Sequence, residues 1–497
     1  MKLIRLSNAL VAVTLFFSIH AGTANADVFA KPGDTLLRSD LQLLNDSGLL
    51  NLPLTAWPLS NGDIAGGLRD IDPGSTDASV ASALDRVRER IRWESIPDAW
   101  RFDFGMSLAA NPRVIRSFEN TPRAEGEAFA RLNWLGERFA INLQVTAVAN
   151  PFDGEEIRPD DTYIGVALGN WMLSAGWQER WWGPGNNGSL ILSSNARPSP
   201  GIMLQRNNST APKTKWLRWL GPWTFATFMD LLDDEREVED ALLFGARFSF
   251  RPVSGLEIGL SRTAQWCGED RPCDLQAFFD MLVGNDNKDV NVNPEDEPGN
   301  QLAGIDIRWA LPRQIPVALY VQWIGEDSRK DSPSPGSWLR QAGVEFWGTL
   351  GSLGHRTYAE VSDTTCHEGA LGAGDPEPNC AYRHHIYRTG YRYQGRSMGH
   401  SIDGDGLSYS LGSTLVQSSG HNWNVLLRYM EINQIGAPDP GHTLSATPQD
   451  IADIQISHDR ITDFGTFKLG LGYSRLDDEA TNEVSNETSA FIQWSSR

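Results

Sequence analysis

Residues Arg138-Phe-Ala-Ile-Asn-Leu-Gln-Val-Thr-Ala147 carry apolar side chains at 139, 141, 143, 145 and 147, with mostly polar ones between them. A repeat of two is the period of an extended strand, whose successive side chains point to opposite faces. The same alternation recurs in Leu242, Phe244, Ala246, Phe248 and Phe250 against Gly245, Arg247, Ser249 and Arg251. Val317, Leu319, Val321 and Trp323 repeat it, as do Phe467, Leu469, Leu471 and Tyr473. From Trp100 to the C-terminus the chain is a series of such segments, each of roughly ten residues, the length a tilted strand needs to cross a bilayer. One face suits hydrocarbon and the other a wet interior. The pattern predicts an all-β transmembrane barrel; the alternative all-β architecture is a large soluble sandwich or propeller.

The N-terminus favours the membrane reading. Lys2 and Arg5 precede an apolar core from Ala9 to Ile19, and Ala24-Asn25-Ala26 is a small-x-small cleavage site. Residues 1–26 therefore read as a signal peptide, with the mature chain starting near Asp27. No later stretch approaches the run of about 18 apolar residues a membrane helix needs, so a spanning structure must be a closed barrel. The chain holds 63 acidic and 43 basic residues, a net charge of −20. That balance speaks for solubility and against nucleic acid as a partner. The four cysteines form two local pairs, Cys267 with Cys273 and Cys366 with Cys380, in loop-like sequence. An exported chain with an even count implies disulfides that pin loops. Neither pair has Cys-x-x-Cys spacing, so no metal site is expected, and the sequence calls for no cofactor.

Loop lengths give the topology, because outer-membrane barrels have short turns on the periplasmic side and long loops outside. Short turns fall at Gly136, Gly169-Asn170, Pro252 to Gly255, Pro312 to Ile315, Gly348 to Leu353, Ser418 to Asn422 and Ile461 to Phe464. Long connections fill Asn111 to Glu125, Asn150 to Asp161, Gly183 to Gly201, Asp233 to Asp240 and Cys267 to Gln301. Others run Gly325 to Ser337, Asp363 to Gly406, Asn433 to Gln449 and Asp477 to Glu487. The walk yields about eighteen strands over residues 98–497, both termini in the periplasm and both cysteine pairs outside. One segment breaks the rule: Asn208 to Gly221 is long yet falls on the periplasmic side.

Residues 27–97 read differently. Asp34 can cap a helix carrying Leu36, Leu37, Leu41 and Leu44 that stops at Gly48, and Asp77 a second with Val80, Leu84, Val87 and Ile91. Pro53 to Leu68 has room for a short third helix. This is a small periplasmic helical domain that either plugs the barrel mouth or docks a periplasmic partner.

Two segments stand out from barrel filler. The first is Gly176-Trp-Gln-Glu-Arg-Trp-Trp-Gly-Pro-Gly185. Trp181 and Trp182 are adjacent, so one must point inward. Beside Gln178, Glu179 and Arg180 they suit sugar recognition, the ring covering a pyranose face while polar neighbours take hydroxyls. Tryptophans at a strand end also form the interfacial girdle, the better account of Trp177. The second is Ala381 to His400, which holds no carboxylate. Arg383, Arg388, Arg392 and Arg396 alternate there with Tyr382, Tyr387, Tyr391 and Tyr393. Arginine forks and tyrosine faces suit an acidic polysaccharide; pairing with acidic loops or lipopolysaccharide phosphates is the other reading. Catalysis is not expected, since the many Asp and Glu form no visible constellation of paired acids or Ser/His/Asp. A nutrient porin needs only the barrel and leaves the helical domain without a purpose.

At these residues the chain resembles the capsule assembly protein Wzi family. The resemblance is carried by Gly176 to Gly185 with Ser189-Leu-Ile-Leu-Ser-Ser-Asn-Ala-Arg-Pro198, by Gly33-Asp-x-x-Leu-Arg-x-Asp-Leu-Gln-Leu-Leu44 with Pro53-Leu-Thr-x-Trp-Pro-Leu59, and by Gly390-Tyr-Arg-Tyr-Gln-Gly-Arg396 with Met398-Gly-His400. It implies an eighteen-stranded outer-membrane barrel with a periplasmic helical bundle, and the walk's count is not independent of it. It also implies a monomeric, non-enzymatic, lectin-like protein of a Gram-negative outer membrane that binds and anchors capsular or extracellular polysaccharide, with lipid around it. A porin or substrate-specific channel is the alternative. The chain departs from the usual barrel ending: Trp494 is followed by Ser495-Ser496-Arg497, so Phe491 to Trp494 is expected to act as an internal insertion signal.

Overall fold

The computed structural model describes residues 28–72, 77–283, 299–312, 315–328, 335–369, 375–434 and 442–496. The leader and its cleavage site lie outside the described residues. Eighteen antiparallel strands, each paired with its neighbours in sequence, close into a barrel. They are β1 Arg101–Ala110, β2 Gly126–Leu135, β3 Phe139–Ala149, β4 Tyr163–Leu168, β5 Trp171–Trp177 and β6 Pro200–Arg206. Then come β7 Trp223–Leu231, β8 Leu242–Val253, β9 Leu256–Trp266, β10 Gly299–Ala310, β11 Val317–Ser328 and β12 Pro335–Leu350. The wall ends with β13 Leu353–Glu368, β14 Leu407–Val416, β15 Asn422–Ile432, β16 Gln449–Thr462, β17 Gly465–Asp478 and β18 Glu483–Ser495. Closure is made by β18 against β1, from Ala490 beside Ala110 to Ser495 beside Gly105. Among the described residues the barrel wall leaves no strand edge open, as a lipid environment requires.

The alternation sets the two faces as expected. Along β3, Phe139, Leu143 and Val145 are exposed outward while Ala140, Asn142 and Gln144 are buried. On β8 the outward Phe244, Ala246 and Phe248 alternate with the buried Arg247, Ser249 and Arg251. Trp494 joins the outer aromatics, its ring centroid 5.5 Å from Phe104 and 6.4 Å from Phe467. Three loops are shorter than the sequence reading had them. Strands β11 and β12 run to Ser328 and from Pro335, β13 runs to Glu368, and β17 and β18 extend to Asp478 and from Glu483. Ladder hydrogen bonds do not depend on side-chain polarity, so the wall continues past the apolar band.

Three helices gather at the short-turn end: α1 Thr35–Asp46, α2 Asn61–Leu68 and α3 Ala78–Glu94. Asp34 caps α1 through the Leu37 N–H at 2.8 Å. Ser60 caps α2 through Asp63 N–H at 3.3 Å, whereas Asp77 makes no side-chain cap on α3. Their core joins Leu37, Leu41 and Leu44 to Val80, Leu84, Val87 and Ile91. Arg86 on α3 holds Asp40 of α1 and donates to the Gln417 and Ser418 carbonyls of the β14–β15 turn. A fourth helix, α4 Leu275–Val283, lies in the loop after β9. Among the described residues no helix is long and apolar enough to cross a membrane.

Candidate functional site

The lumen is occupied by the chain itself. The C-terminus of α1 enters from the turn end, and Asp46 meets Arg308 at 2.9 and 3.0 Å and Arg356 at 2.9 Å. Both arginines also reach Glu345, at 2.6 and 3.1 Å. Two cations and two anions thus neutralise one another out of water, which is what buried charge requires. Further along, the Leu54 and Thr55 N–H groups donate to Glu257, at 2.9 and 2.8 Å.

The loop after β5 descends from the other end to meet this segment. Trp181 and Trp182 pair antiparallel with Trp57 and Ala56. Phe118, from the β1–β2 loop, wedges in with its ring 5.4 Å from Trp57 and 5.2 Å from Trp181, beneath the Arg38 guanidinium at 4.3 Å. Arg38 also donates to the Pro184 and Gly185 carbonyls at 2.7 and 2.8 Å. Glycine is obligatory in this turn: a Cβ on Gly185 would stand 2.2 Å from the Gly188 carbonyl oxygen. The wall then fixes the backbone beyond it. Glu360 accepts from Asn186, Asn187 and Gly188 N–H at 2.7, 3.1 and 3.2 Å, and Gln322 accepts from Leu190 N–H at 2.8 Å.

A lid built from Ala381 to His400 covers this plug. Tyr382 donates to the Leu190 carbonyl at 2.7 Å, Tyr391 to Ile191 at 2.9 Å and Tyr387 to Cys267 at 3.0 Å. Arg392 forms a fork on Asp403 at 3.0 to 3.1 Å. The disulfide Cys366–Cys380 ties the start of the lid to β13, and Cys267–Cys273 closes the loop after β9. Both local pairings are as the sequence implied.

The site residues singled out in the sequence therefore divide. Trp181 and Trp182 are each 1% exposed and offer no ring face to solvent. Gln178 accepts from Ser174 Oγ at 2.6 Å. Arg180 lies over Phe228 and pairs with Asp230 at 2.5 and 3.2 Å. Glu179 holds Arg123 at 2.9 Å. Tyr391, Tyr393 and Arg392 are buried in the lid. Three arginines keep some exposure: Arg383 half-buried with its Nε and Nη2 out of solvent, Arg396 half-buried, and Arg388 exposed with Glu237 3.7 Å away.

Arg396 is the distinctive one. Its guanidinium lies 4.1 Å over the ring of Phe152, which is 54% exposed, and it makes no hydrogen bond or ion pair among the described residues. Burial and the neighbouring Arg123 push Arg396 down to about 10, while burial and Arg123 push Arg116 down to about 9. Arg123 is itself matched by Glu179, and Asp153 and Asp403 pull Arg396 the other way; an incoming acceptor would add to that pull and favour the charged guanidinium. Sequence reading missed Phe152, since a lone aromatic in Asn150-Pro-Phe-Asp-Gly154 looks like loop filler.

Two other features resemble sites but do not have the surroundings of one. Gly395-Arg-Ser-Met-Gly399 has the Gly-x-Ser-x-Gly spacing of a hydrolase elbow, a spacing that the sequence reading wrongly took to be absent. Ser397 sits fully buried in a small hairpin, with Oγ accepting from the Gly399 N–H at 3.2 Å, rather than at a strand-to-helix turn. A groove of about 720 Å³ on the outer wall is lined by Val344, Val361, Tyr409, Leu411, Leu427 and Tyr429 among others, and so faces hydrocarbon.

A family described as capsule assembly protein Wzi matches residues 106–490. A 55.8 kDa uncharacterised protein of the cps region of Klebsiella pneumoniae is 32% identical over 438 residues, covering 87% of this chain and 82% of that one. A solved structure of Wzi from Escherichia coli, described as an outer-membrane protein involved in group 1 capsule assembly and a carbohydrate-binding β-barrel, superposes with a TM-score of 0.81 at 27% identity. It covers 94% of this chain and 99% of that one.

Proposed function

From the fact that this chain belongs to the capsule assembly protein Wzi family, we propose that it binds capsular or extracellular polysaccharide at the surface of a Gram-negative cell and helps to anchor it. The barrel lies in the outer membrane, with its long loops outside and helices α1 to α3 closing its periplasmic mouth. The observation that carries the reading is the filled lumen: a solute channel has no use for a barrel packed along its axis by α1, the β5–β6 loop and the lid. Work is left to the outer loop face. There Arg396, Arg388 and Arg383 supply charge to an acidic glycan, and Phe152 supplies a flat apolar face for a sugar ring. Gln178, Glu179, Arg180, Trp181, Trp182, Tyr391, Arg392 and Tyr393 act one layer below, holding that face in place. The protein acts as a monomer without catalysis, since retention requires only binding.

The test is polysaccharide retained on cells against polysaccharide shed, with folded barrel followed by heat-modifiable gel mobility. Replacing Arg383, Arg388 and Arg396 by glutamine together with Phe152→Ala is expected to shed polysaccharide at unchanged barrel level. The arginine contribution weakens with salt, because exposed pairs are screened over about 8 Å at physiological ionic strength. Full retention by the variant would remove this face as the site. A large, steady conductance in planar bilayers would move the protein to the channel reading.

A further inference from the structure

The long connection at the short-turn end, which no part of polysaccharide binding uses, runs Asn207-Asn-Ser-Thr-Ala-Pro-Lys-Thr-Lys-Trp-Leu-Arg-Trp-Leu-Gly-Pro222. Lys213, Lys215 and Arg218 fall within six residues, and no acidic residue follows until Asp230, in a chain of net charge −20. Its apolar residues are out in the open: Trp216 is 86% exposed, Trp219 61% and Leu217 48%. A loop facing only water gains nothing from this. Exposed apolar side chains rimmed by cations mark an interaction surface.

The fold says which surface. The loop's root is fastened: Ser209 N–H donates to Asp63 at 2.9 Å, Asn170 donates to the Asn208 carbonyl at 3.0 Å, and Trp223 N–H donates to the Ser209 carbonyl at 2.8 Å. From there the chain swings outward rather than beneath the barrel. Trp219 packs edge-on against Phe250 at 5.8 Å. Phe250 belongs to the outward row of β8 yet is only 7% exposed, a neighbour of Phe248 at 5.4 Å in the lipid-facing aromatic band. Trp223 continues that band, 5.7 Å from Phe248, with Arg206 stacked 3.7 Å over its ring. The return is locked by Gly221, whose φ of +63° is left-handed and whose Cβ would lie 1.9 Å from the Arg251 carbonyl oxygen.

We propose that residues 211–220 form an interfacial foot that binds anionic phospholipid headgroups of the periplasmic leaflet, with Trp216, Leu217 and Trp219 entering the acyl boundary and Lys213, Lys215 and Arg218 taking the phosphates. Continuity with the lipid-facing aromatic band and charge complementarity select this occupant. Amphipathic tryptophan with lysine and arginine is the equipment of a segment lying in a headgroup layer. The foot would fix the depth and tilt of the barrel on the side opposite the glycan.

The experiment uses the full-length protein in phosphatidylcholine bilayers containing trace spin-labelled phosphatidylglycerol or phosphatidylcholine. Wild type is expected to favour the anionic lipid by about threefold or more, as clustered cations at a membrane surface do. The preference should fall to parity in the Lys213→Gln/Lys215→Gln/Arg218→Gln variant and in high salt, with folding checked by heat-modifiable mobility. Should that variant fail to fold, Trp216→Cys carrying an environment-sensitive fluorophore gives an independent reading. Quenching by lipids brominated near the headgroup is expected. Equal association of wild type with the two lipids, or a fluorophore quenched freely by aqueous iodide, would overturn the proposal and point to a soluble periplasmic partner.

Discussion

Asp46→Asn is the sharpest test of the filled barrel. In the native protein Arg308 and Arg356 face Asp46 and Glu345, two charges of each sign within 3.1 Å contacts. Burial by itself would raise the Asp46 carboxyl, but the two guanidiniums hold it below the usual carboxylate range. Asparagine preserves shape while removing the charge, so two arginines share one glutamate in a site shut off from water. Breaking a buried pair this way costs about 3–5 kcal/mol, and each 1.4 kcal/mol is a factor of about ten in an equilibrium. The undocked population of α1 should therefore rise by roughly two to three and a half orders of magnitude. The assay is planar-bilayer recording beside heat-modifiable mobility. Wild type should be closed, the variant should show brief openings and a lower melting temperature, and adding Arg356→Gln should restore part of both by rebalancing the charge. A variant as closed and as heat-resistant as wild type would refute the claim that this quartet latches the plug.

Three further outcomes follow from the same geometry. Trp182→Ala, at a position 1% exposed and 5.4 Å from Phe228, should cost about 3–5 kcal/mol as a cavity; its effect on polysaccharide should track loss of folded barrel, and shedding at full barrel level would instead make Trp182 a sugar contact. Replacing Cys366 and Cys380 with serine opens a link of sequence separation 14, worth about 3 kcal/mol in the unfolded-state model; limited proteolysis should then cut first near Asp375 to Ala381, and unchanged protease resistance would show that the tyrosine bonds alone hold the lid. Asp34→Ala removes the cap of α1 and one of the two carboxylate partners of Arg90, the other being Glu94, for about 1 kcal/mol or more. Burial opposes the charge on Asp34, but Arg90 and the Leu37 N–H outweigh it and leave its carboxyl below the usual carboxylate range. A lowered carboxyl stabilises the fold in full above the unfolded value and loses that contribution as pH falls through the folded one. The difference between Asp34→Ala and wild type in denaturant midpoint should thus be constant from pH 5 to 8 and shrink in stronger acid to what the neutral cap contributes; a difference that grows as pH falls would have the sign wrong.

What the sequence made legible follows from the range of the interactions involved. Strand period and turn length are local, so Phe139 to Ala147 declared its two faces and Asn208 to Gly221 announced itself as the one irregular turn. Helix α1 was legible for the same reason, from Asp34 to Gly48. What fills the barrel is not local. Trp181 meets Trp57 across 124 positions, and Tyr391 reaches the Ile191 carbonyl across 200. No spacing rule encodes such a meeting. Alternation says that a side chain points into the lumen; it does not say whether water or another stretch of chain waits there.

That ambiguity explains why the aromatic and basic motifs divide as they do. Tryptophan, tyrosine and arginine are the residues that recognise a sugar, and also the residues best able to lock a polar plug, because each combines a large apolar face with a hydrogen-bonding tip. Burial tells the two uses apart. Arg392 spends its fork on Asp403, and Tyr382, Tyr387 and Tyr391 spend their hydroxyls on backbone carbonyls. Arg396 keeps its guanidinium open over Phe152. A rigid, filled barrel makes this division useful: a long polymer pulls on whatever holds it, and loops braced by the plug and wall pass that load to eighteen paired strands rather than to a flexible tip.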